Sequence, residues 1–333
     1  LSLHDALPIS HAYHMGRAAA MEPSRRERAA RELLAQLESF VADNPRSRGV
    51  HWASSQEVAF RLMAWIFALR ALQGAARWER LRALVARALY DAAVHIERHV
   101  EYARRAVYNN HLLSEALGLL LAGTLLHGAP EAARWRRRGR ALLDEGVARQ
   151  FYPDGGYIQN SHNYHRVALQ DLLWACSALS AAGRGVPSRW RRALARSVDF
   201  LVAHQNASDG RLPNYGANDG ALPSVLSCCH YADFRPTLQA ASLAARGERL
   251  YEPGPWDEEA AWFVGPQALE QAPLHPADRR TISFAHSGYH VLRGRGGNSF
   301  GAFRCGSVLD RFSQIDMLHL DIWWRGVNVL ADG

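Results

Sequence analysis

The 333-residue sequence contains no lysine: all 39 of its basic residues are arginine, and against 32 acidic residues they give a formal net charge of +7. Arginine pairs bidentately with carboxylate and sulfate-like groups, so this composition suits a polyanionic partner. Much of the excess falls in Arg134-Trp-Arg-Arg-Arg138 and Arg189-Trp-Arg-Arg192, read as solvated helix faces. No basic run accompanies a nucleic-acid module, so nucleic acid is not an expected partner. Cysteine is scarce. Cys176, Cys228, Cys229 and Cys305 have neither metal-ligand spacing nor the density of a disulfide framework. No window approaches the roughly 18 consecutive apolar residues of a membrane span, and membrane insertion is not expected. A fixed-period repeat is also missing, which argues against a regular solenoid. Leu1–Ser10 has no helical or strand period and no visible export signal, and residues 1–20 are set aside as non-native or disordered.

What is present is helix. Leu33, Leu34, Leu37, Phe40 and Val41 share one helical face, and Phe60, Met63, Trp65, Phe67 and Leu69 belong to a largely buried helix. Further helices are expected near 78–105, 109–127, 130–150, 163–183, 188–206 and 235–247, separated by Pro, Gly and Asn turns. Long helices with short connections favour antiparallel hairpins. The expected α+β architecture is an incomplete (α/α) toroid over 21–265. After Pro266 short β-rich runs appear: Thr281–Phe284, Gly288–Arg293, Ser299–Cys305 and Leu320–Trp324. They predict the start of an antiparallel β-sandwich over 266–333, and too few strands for two layers predict C-terminal truncation. The ten tryptophans and eleven tyrosines suit either a core or a sugar-lined cleft.

Four polar segments interrupt this apolar background. Asn109-Asn110-His111 opens a helix in which His111 and Glu115 share a face. Asp154-Gly-Gly-Tyr-Ile-Gln-Asn-Ser-His-Asn-Tyr-His-Arg166 joins a Gly-Gly turn to another helix start. Pro213-Asn-Tyr-Gly-Ala-Asn-Asp-Gly220 is a loop dense in amides. Gln314-Ile-Asp-Met-Leu-His-Leu-Asp-Ile-Trp-Trp324 lies in the β-rich region, with His319 and Asp321 two apart. Singly, each reads as a helix cap or turn. Together they supply amide, imidazole and phenol groups able to neutralise a carboxylate and remove a neighbouring proton.

In this order the four segments resemble the heparinase II/III-like family of polysaccharide lyases, from about residue 45 to the end. The resemblance implies β-elimination on a uronic-acid polymer such as a glycosaminoglycan or alginate. By position Asn110 and His111 would hold the uronate carboxylate and Tyr164 would act as acid or base. Glu115, Gln159, Asn163, His165, Arg166, Asn214 and Asn218 would bind substrate. The resemblance also implies zinc, with His319 and Asp332 as candidate ligands, although Met317 stands where the family often has a histidine. A periplasmic or secreted location follows from the same likeness. A glycoside hydrolase using Asp154, Asp219 or Asp233 stays open, as does a non-catalytic module that binds carbohydrate or processes exopolysaccharide.

Overall fold

Helix hairpins form wherever the 3.6-residue apolar period runs between turn signals. The structure is a computed structural model that describes residues 9–294, 298–306 and 316–331. Its residues group into two compact units, Leu1–Leu143 with Pro223–Leu226, and Asp144–Leu222 with Ser227–Gly333.

The first unit contains α1 (Ile9–Met21), α2 (Arg26–Asp43), α3 (Ser55–Ala71), α4 (Trp78–Tyr102), α5 (Asn110–Leu125) and most of α6 (Ala132–Gln150). The set-aside N-terminal segment thus carries a helix from Ile9 onward. Ala12, Tyr13 and Ala19 are fully buried, and α1 packs on α3. A short Ala/Gly-rich amphipathic stretch gives a weak sequence signal, and tertiary packing supplies the rest. Helix α3 is the centre of this unit, with Phe60, Leu62 and Met63 buried among α1, α4 and α5. Of the α2 face, Leu33, Leu34 and Leu37 are buried, whereas Val41 is 36% exposed. Helices α5 and α6 run almost backbone to backbone. A Cβ at Gly139 would strike the Leu120 amide and Ala116 carbonyl, and one at Gly123 the backbone of Ala132 and Arg136.

The arginines of α6 are exposed or half-buried, as expected, and the tryptophan between them is not. Trp135 is fully buried and donates to Glu97 Oε2 at 3.0 Å. Arg134 grips Glu97 with two bonds of 2.8 and 2.9 Å. These bonds, Arg134 first, hold the Glu97 carboxyl below its usual range.

The second unit contains the end of α6, then α7 (His162–Ala181), α8 (Ser188–His204), α9 (Arg235–Arg246), α10 (Asp257–Phe263) and α11 (Pro266–Gln271). The last two, seven and six residues long, were too short to give a periodic signal. An antiparallel meander follows: β1 (Ile282–Phe284), β2 (Tyr289–Arg293), β3 (Phe300–Arg304), β4 (Leu320–Trp324) and β5 (Val327–Leu330). The first four match the expected runs to within two residues at each end. Alternation places Tyr289 and Val291 of β2 in the interior, with Ala302 of β3 opposite Val291. Phe200 of α8 meets Phe284 at 4.8 Å and Tyr289 at 5.2 Å, which packs the helix against the sheet. Arg293 of β2 caps the same helix, donating to the carbonyls of Ala203 and Gln205 at 2.6 and 2.7 Å.

No described helix is long and apolar enough to cross a membrane.

Candidate active site

In the first unit the site residues begin where α4 ends. Its last turn widens to a π-helix over Ala103–Val107, and Tyr108 takes a left-handed conformation with φ 49°. The chain thereby turns sharply into α5. Asn109 caps that helix, its Oδ1 accepting from the His111 amide at 2.9 Å. His111 is the accessible member of the trio, with a side chain 32% exposed and Nδ1 3.9 Å from Glu115 Oε1. Burial pushes the Glu115 carboxyl up to about 8. Asn110 is 1% exposed, and its carbonyl accepts from Ser114 Oγ, which in turn accepts from Gln56 Nε2 at 3.1 Å. Asn110 and Glu115 are therefore interior groups beneath His111.

In the second unit the Asp154-Gly-Gly turn is built for structure. Asp154 Oδ2 accepts from the amides of His286 and Ser287, both at 2.8 Å, and Oδ1 accepts from the Gly156 amide. The carboxylate ties the turn to the β1–β2 connection. Gly155 sits at φ 96°, and a Cβ there would collide with the Arg196 carbonyl.

Ser161 caps α7, accepting from the Tyr164 amide at 3.1 Å and donating to Ala217 O at 2.5 Å. One hydroxyl thus fixes both the helix start and the 213–220 loop. Tyr164, half-buried, donates its phenol proton to Asp219 Oδ2 at 2.7 Å. Asp219, Asn214 and Asn218 are exposed, and Asn218 Nδ2 donates to Asn214 Oδ1 at 2.8 Å.

A second phenol, Tyr231, stands beside this loop. Its oxygen lies 2.7 Å from Asn163 Oδ1 and 2.6 Å from Asn218 Oδ1. Arg166 lies beneath, donating to Asn163 Oδ1 at 2.7 Å and to the Tyr231 carbonyl at 2.5 Å. Its guanidinium stands 4.4 Å from the Tyr231 and Phe234 ring centres. Burial raises the Tyr231 phenol above its ordinary range, with Arg166 opposing the shift.

Several residues expected to bind substrate are therefore interior supports. Gln159, Asn163, His165 and Arg166 are all 5% exposed or less. His165 stacks on Tyr157 at 5.6 Å and contacts Phe200, which leaves it no surface for a sugar. A strong polar signal in a sequence does not distinguish a group facing ligand from one that positions its neighbour. Asn214 and Asn218 remain on the surface. Tyr231 was missed because a lone tyrosine in an aperiodic loop carries no pattern.

Gly216, at φ 76°, folds the amide loop back on α7, where a Cβ would run into the Asn160 carbonyl. Gly216→Ala is expected to destabilise the fold by about 1–3 kcal/mol through combined strain and overpacking. Denaturant unfolding measures it; a midpoint unchanged from the parent would contradict this packing.

Burial drives two of the α7 histidines toward the neutral form. His162, bonded through Nδ1 to Pro213 O at 2.8 Å, is pushed down to about 4, and His165 to about 3. In the unfolded chain both protonate near 6.5. Their contribution is complete above that value and disappears as pH falls through the folded-state values. The expected loss approaches about 1.4 kcal/mol per pH unit for each histidine below pH 6.5. Urea midpoints between pH 6.5 and 4 should show a shallower slope for His165→Phe than for the parent.

His319 of the expected metal pair sits just before β4, with Nδ1 3.1 Å from Asp316 Oδ2 and its ring 5.2 Å from that of Tyr215. Tyr215 in turn accepts a hydrogen bond from Arg304. Asp332 lies outside the described residues, as do Gln314 and Ile315 of the fourth segment. Among the described residues no group of three or more His, Cys, Asp or Glu side chains is arranged to hold a metal ion. Asp321, 1% exposed, is held above the usual carboxylate range by burial.

A helical region followed by an antiparallel meander, with polar clusters at two helix starts, defines a fold class that known proteins share. A structure titled heparinase III aligns with 96% of this chain at TM-score 0.63 and 18% identity. A heparan sulfate lyase mutant from Pedobacter heparinus does so at TM-score 0.59 and 16% identity. The fold is therefore the expected class, an incomplete (α/α) toroid leading into antiparallel β-sandwich strands. The chain belongs to the heparinase II/III family, whose N-terminal family model, Heparinase II/III N-terminus, matches residues 9–226. A curated relative, the heparin-sulfate lyase of Bacteroides stercoris, is 32% identical over 251 residues, covering 70% of the chain. The chain spans 34% of that relative's length and 48% and 47% of the two solved structures.

Proposed function

We propose that the protein is a polysaccharide lyase that cleaves a uronate-containing polymer by β-elimination. The observation that carries this reading is the accessible Tyr164 hydroxyl held on Asp219 at 2.7 Å, in a chain of this family. The names of its relatives favour a heparan-type glycosaminoglycan over alginate.

Removing the C5 proton of a uronate places charge on its carboxylate, so a neutralising donor lowers the barrier. His111 takes that role, and Asn110 and Glu115 are positioning residues beneath it. Tyr164 and Asp219 form the proton-moving pair. The C5 proton passes to the phenol oxygen as the phenol's own proton moves to Asp219 Oδ2. The C4–O bond then breaks, its electrons go to the glycosidic oxygen, and that oxygen takes the proton from Tyr164 as Asp219 returns its proton to the phenol oxygen. One polymer becomes two fragments, one bearing a C4–C5 double bond. No water is consumed.

Hydrolysis needs two available carboxyl groups, and two of the three candidates are already engaged. Asp154 accepts backbone amides, and Asp233 is gripped by Arg235 through bonds of 2.7 to 3.0 Å. A periplasmic or secreted location fits a polymeric substrate. The direct test is incubation with heparan sulfate, alginate and a neutral glucan while following ultraviolet absorbance of the conjugated uronate. Absorbance should rise with a uronate polymer only, and cleavage without it would reject elimination.

A further inference from the structure

A cleft in the first unit, lined by residues 40–92, has no part in the chemistry above. It measures about 520 Å³ and is bounded by α2, α3, α4 and the 44–52 connection, within the usual size range of a small-ligand site. Phe40, Trp52 and Trp65 give it apolar walls, and Arg46, Arg48, Arg61 and Arg87 supply four cations. The one carboxylate in the lining is Asp91, bonded to Arg46 at 3.0 Å and to Arg87 at 3.2 Å. Arg48 is exposed.

At the floor lies Arg61, 2% exposed. Its Nη2 donates to the His51 carbonyl at 2.5 Å, while Nη1 has no partner among the described residues. Its guanidinium stands 5.2 Å from the Phe40 ring centre and 5.9 Å from that of Trp52. Trp65 Nε1, on the next turn of the same helix, is likewise buried without an acceptor. Glu57, four residues earlier on the same helix, acts on Arg61 electrostatically. A buried N–H of a guanidinium left without an acceptor is costly unless a further acceptor satisfies it.

We propose that this cleft is a non-catalytic binding site for an acidic sugar unit. Its carboxylate or sulfate bonds Arg61 Nη1 and Trp65 Nε1, and its ring lies against Trp52 and Phe40. The choice of a sugar over another anion rests on the lyase reading. The apolar walls bury the C–H face of a ring, and the outer arginines meet the next acidic unit of the same polymer. Such a site adds avidity by holding polymer at a second point on the chain.

The test is hydrogen exchange and calorimetric titration of the intact protein with an acidic heparan-type hexasaccharide, a neutral hexasaccharide and inorganic sulfate. The acidic hexasaccharide should protect segments 44–52 and 84–92, and the other two probes should not. Arg48 and Arg87 are exposed, so Arg48→Glu combined with Arg87→Glu leaves the core intact. It should weaken affinity at least about tenfold, the equivalent of one good polar contact, and remove the protection. Equal protection by neutral sugar or by sulfate alone overturns the proposal, as does undiminished protection in the double variant. Protection without any unsaturated product keeps this site and rejects the lyase reading. Elimination without protection does the reverse.

Discussion

Tyr164→Phe should lower kcat for elimination by about 10²–10⁴, the range contributed by a positioned proton-transfer group. The substitution removes one oxygen from a half-buried ring at the start of α7. The helix cap on Ser161 does not involve that oxygen, so folding should be preserved and KM should change little. A variant retaining a third of the parent activity would reject the assignment. Asp219→Asn keeps an acceptor oxygen beside the phenol but no longer takes its proton. It should cost less than the Phe variant and alter the pH profile of kcat, whereas a purely structural aspartate would leave that profile unmoved.

His111→Ala should lower kcat by about 10²–10³, the usual cost of deleting a donor aimed at developing negative charge. The loss should appear in kcat more than in KM, because neutralisation matters most once the C5 proton is leaving. Methyl-esterified uronate offers a sharper comparison. An ester carries no charge to neutralise, so the penalty of the variant should shrink on that substrate. An equal penalty on acid and ester, or a rise in KM alone, would assign His111 to binding instead. The environment favours the first outcome. Glu115 below it, with its carboxyl raised to about 8 by burial, is largely uncharged at neutral pH and does not lock the imidazole in a full ion pair.

The helices were readable because their apolar period is long. Phe60, Met63 and Trp65 announced α3, and Leu112 to Leu121 announced α5. The pattern failed where elements are short, as in Asp257–Phe263 and Pro266–Gln271, or where packing outweighs period, as in Ile9–Met21. Strand β5 escaped because Val327–Leu330 follows a two-residue turn at Arg325-Gly326 that merges with β4 in sequence. At the site, the clustering of polar residues found the right segments and misjudged which side chains are accessible. Asn163 and Arg166 look like ligand contacts in sequence, yet they underlie Tyr231. The partner of Tyr164, Asp219, lies 55 residues away, a pairing that loop closure creates and no local spacing encodes. Arg134 is solvent-exposed as its composition implies, and it and Arg138 also bond Glu97 and Glu101 on the neighbouring helix.

The most direct measurement of the central claim is mass spectrometry of the products formed from a uronate polymer in heavy-oxygen water. Elimination creates its new ends without solvent, so the expected products are an unlabelled unsaturated end and an unlabelled reducing end. Incorporation of one heavy oxygen per cleavage, with saturated ends throughout, would mean that water breaks the bond and that Tyr164 and His111 do something else.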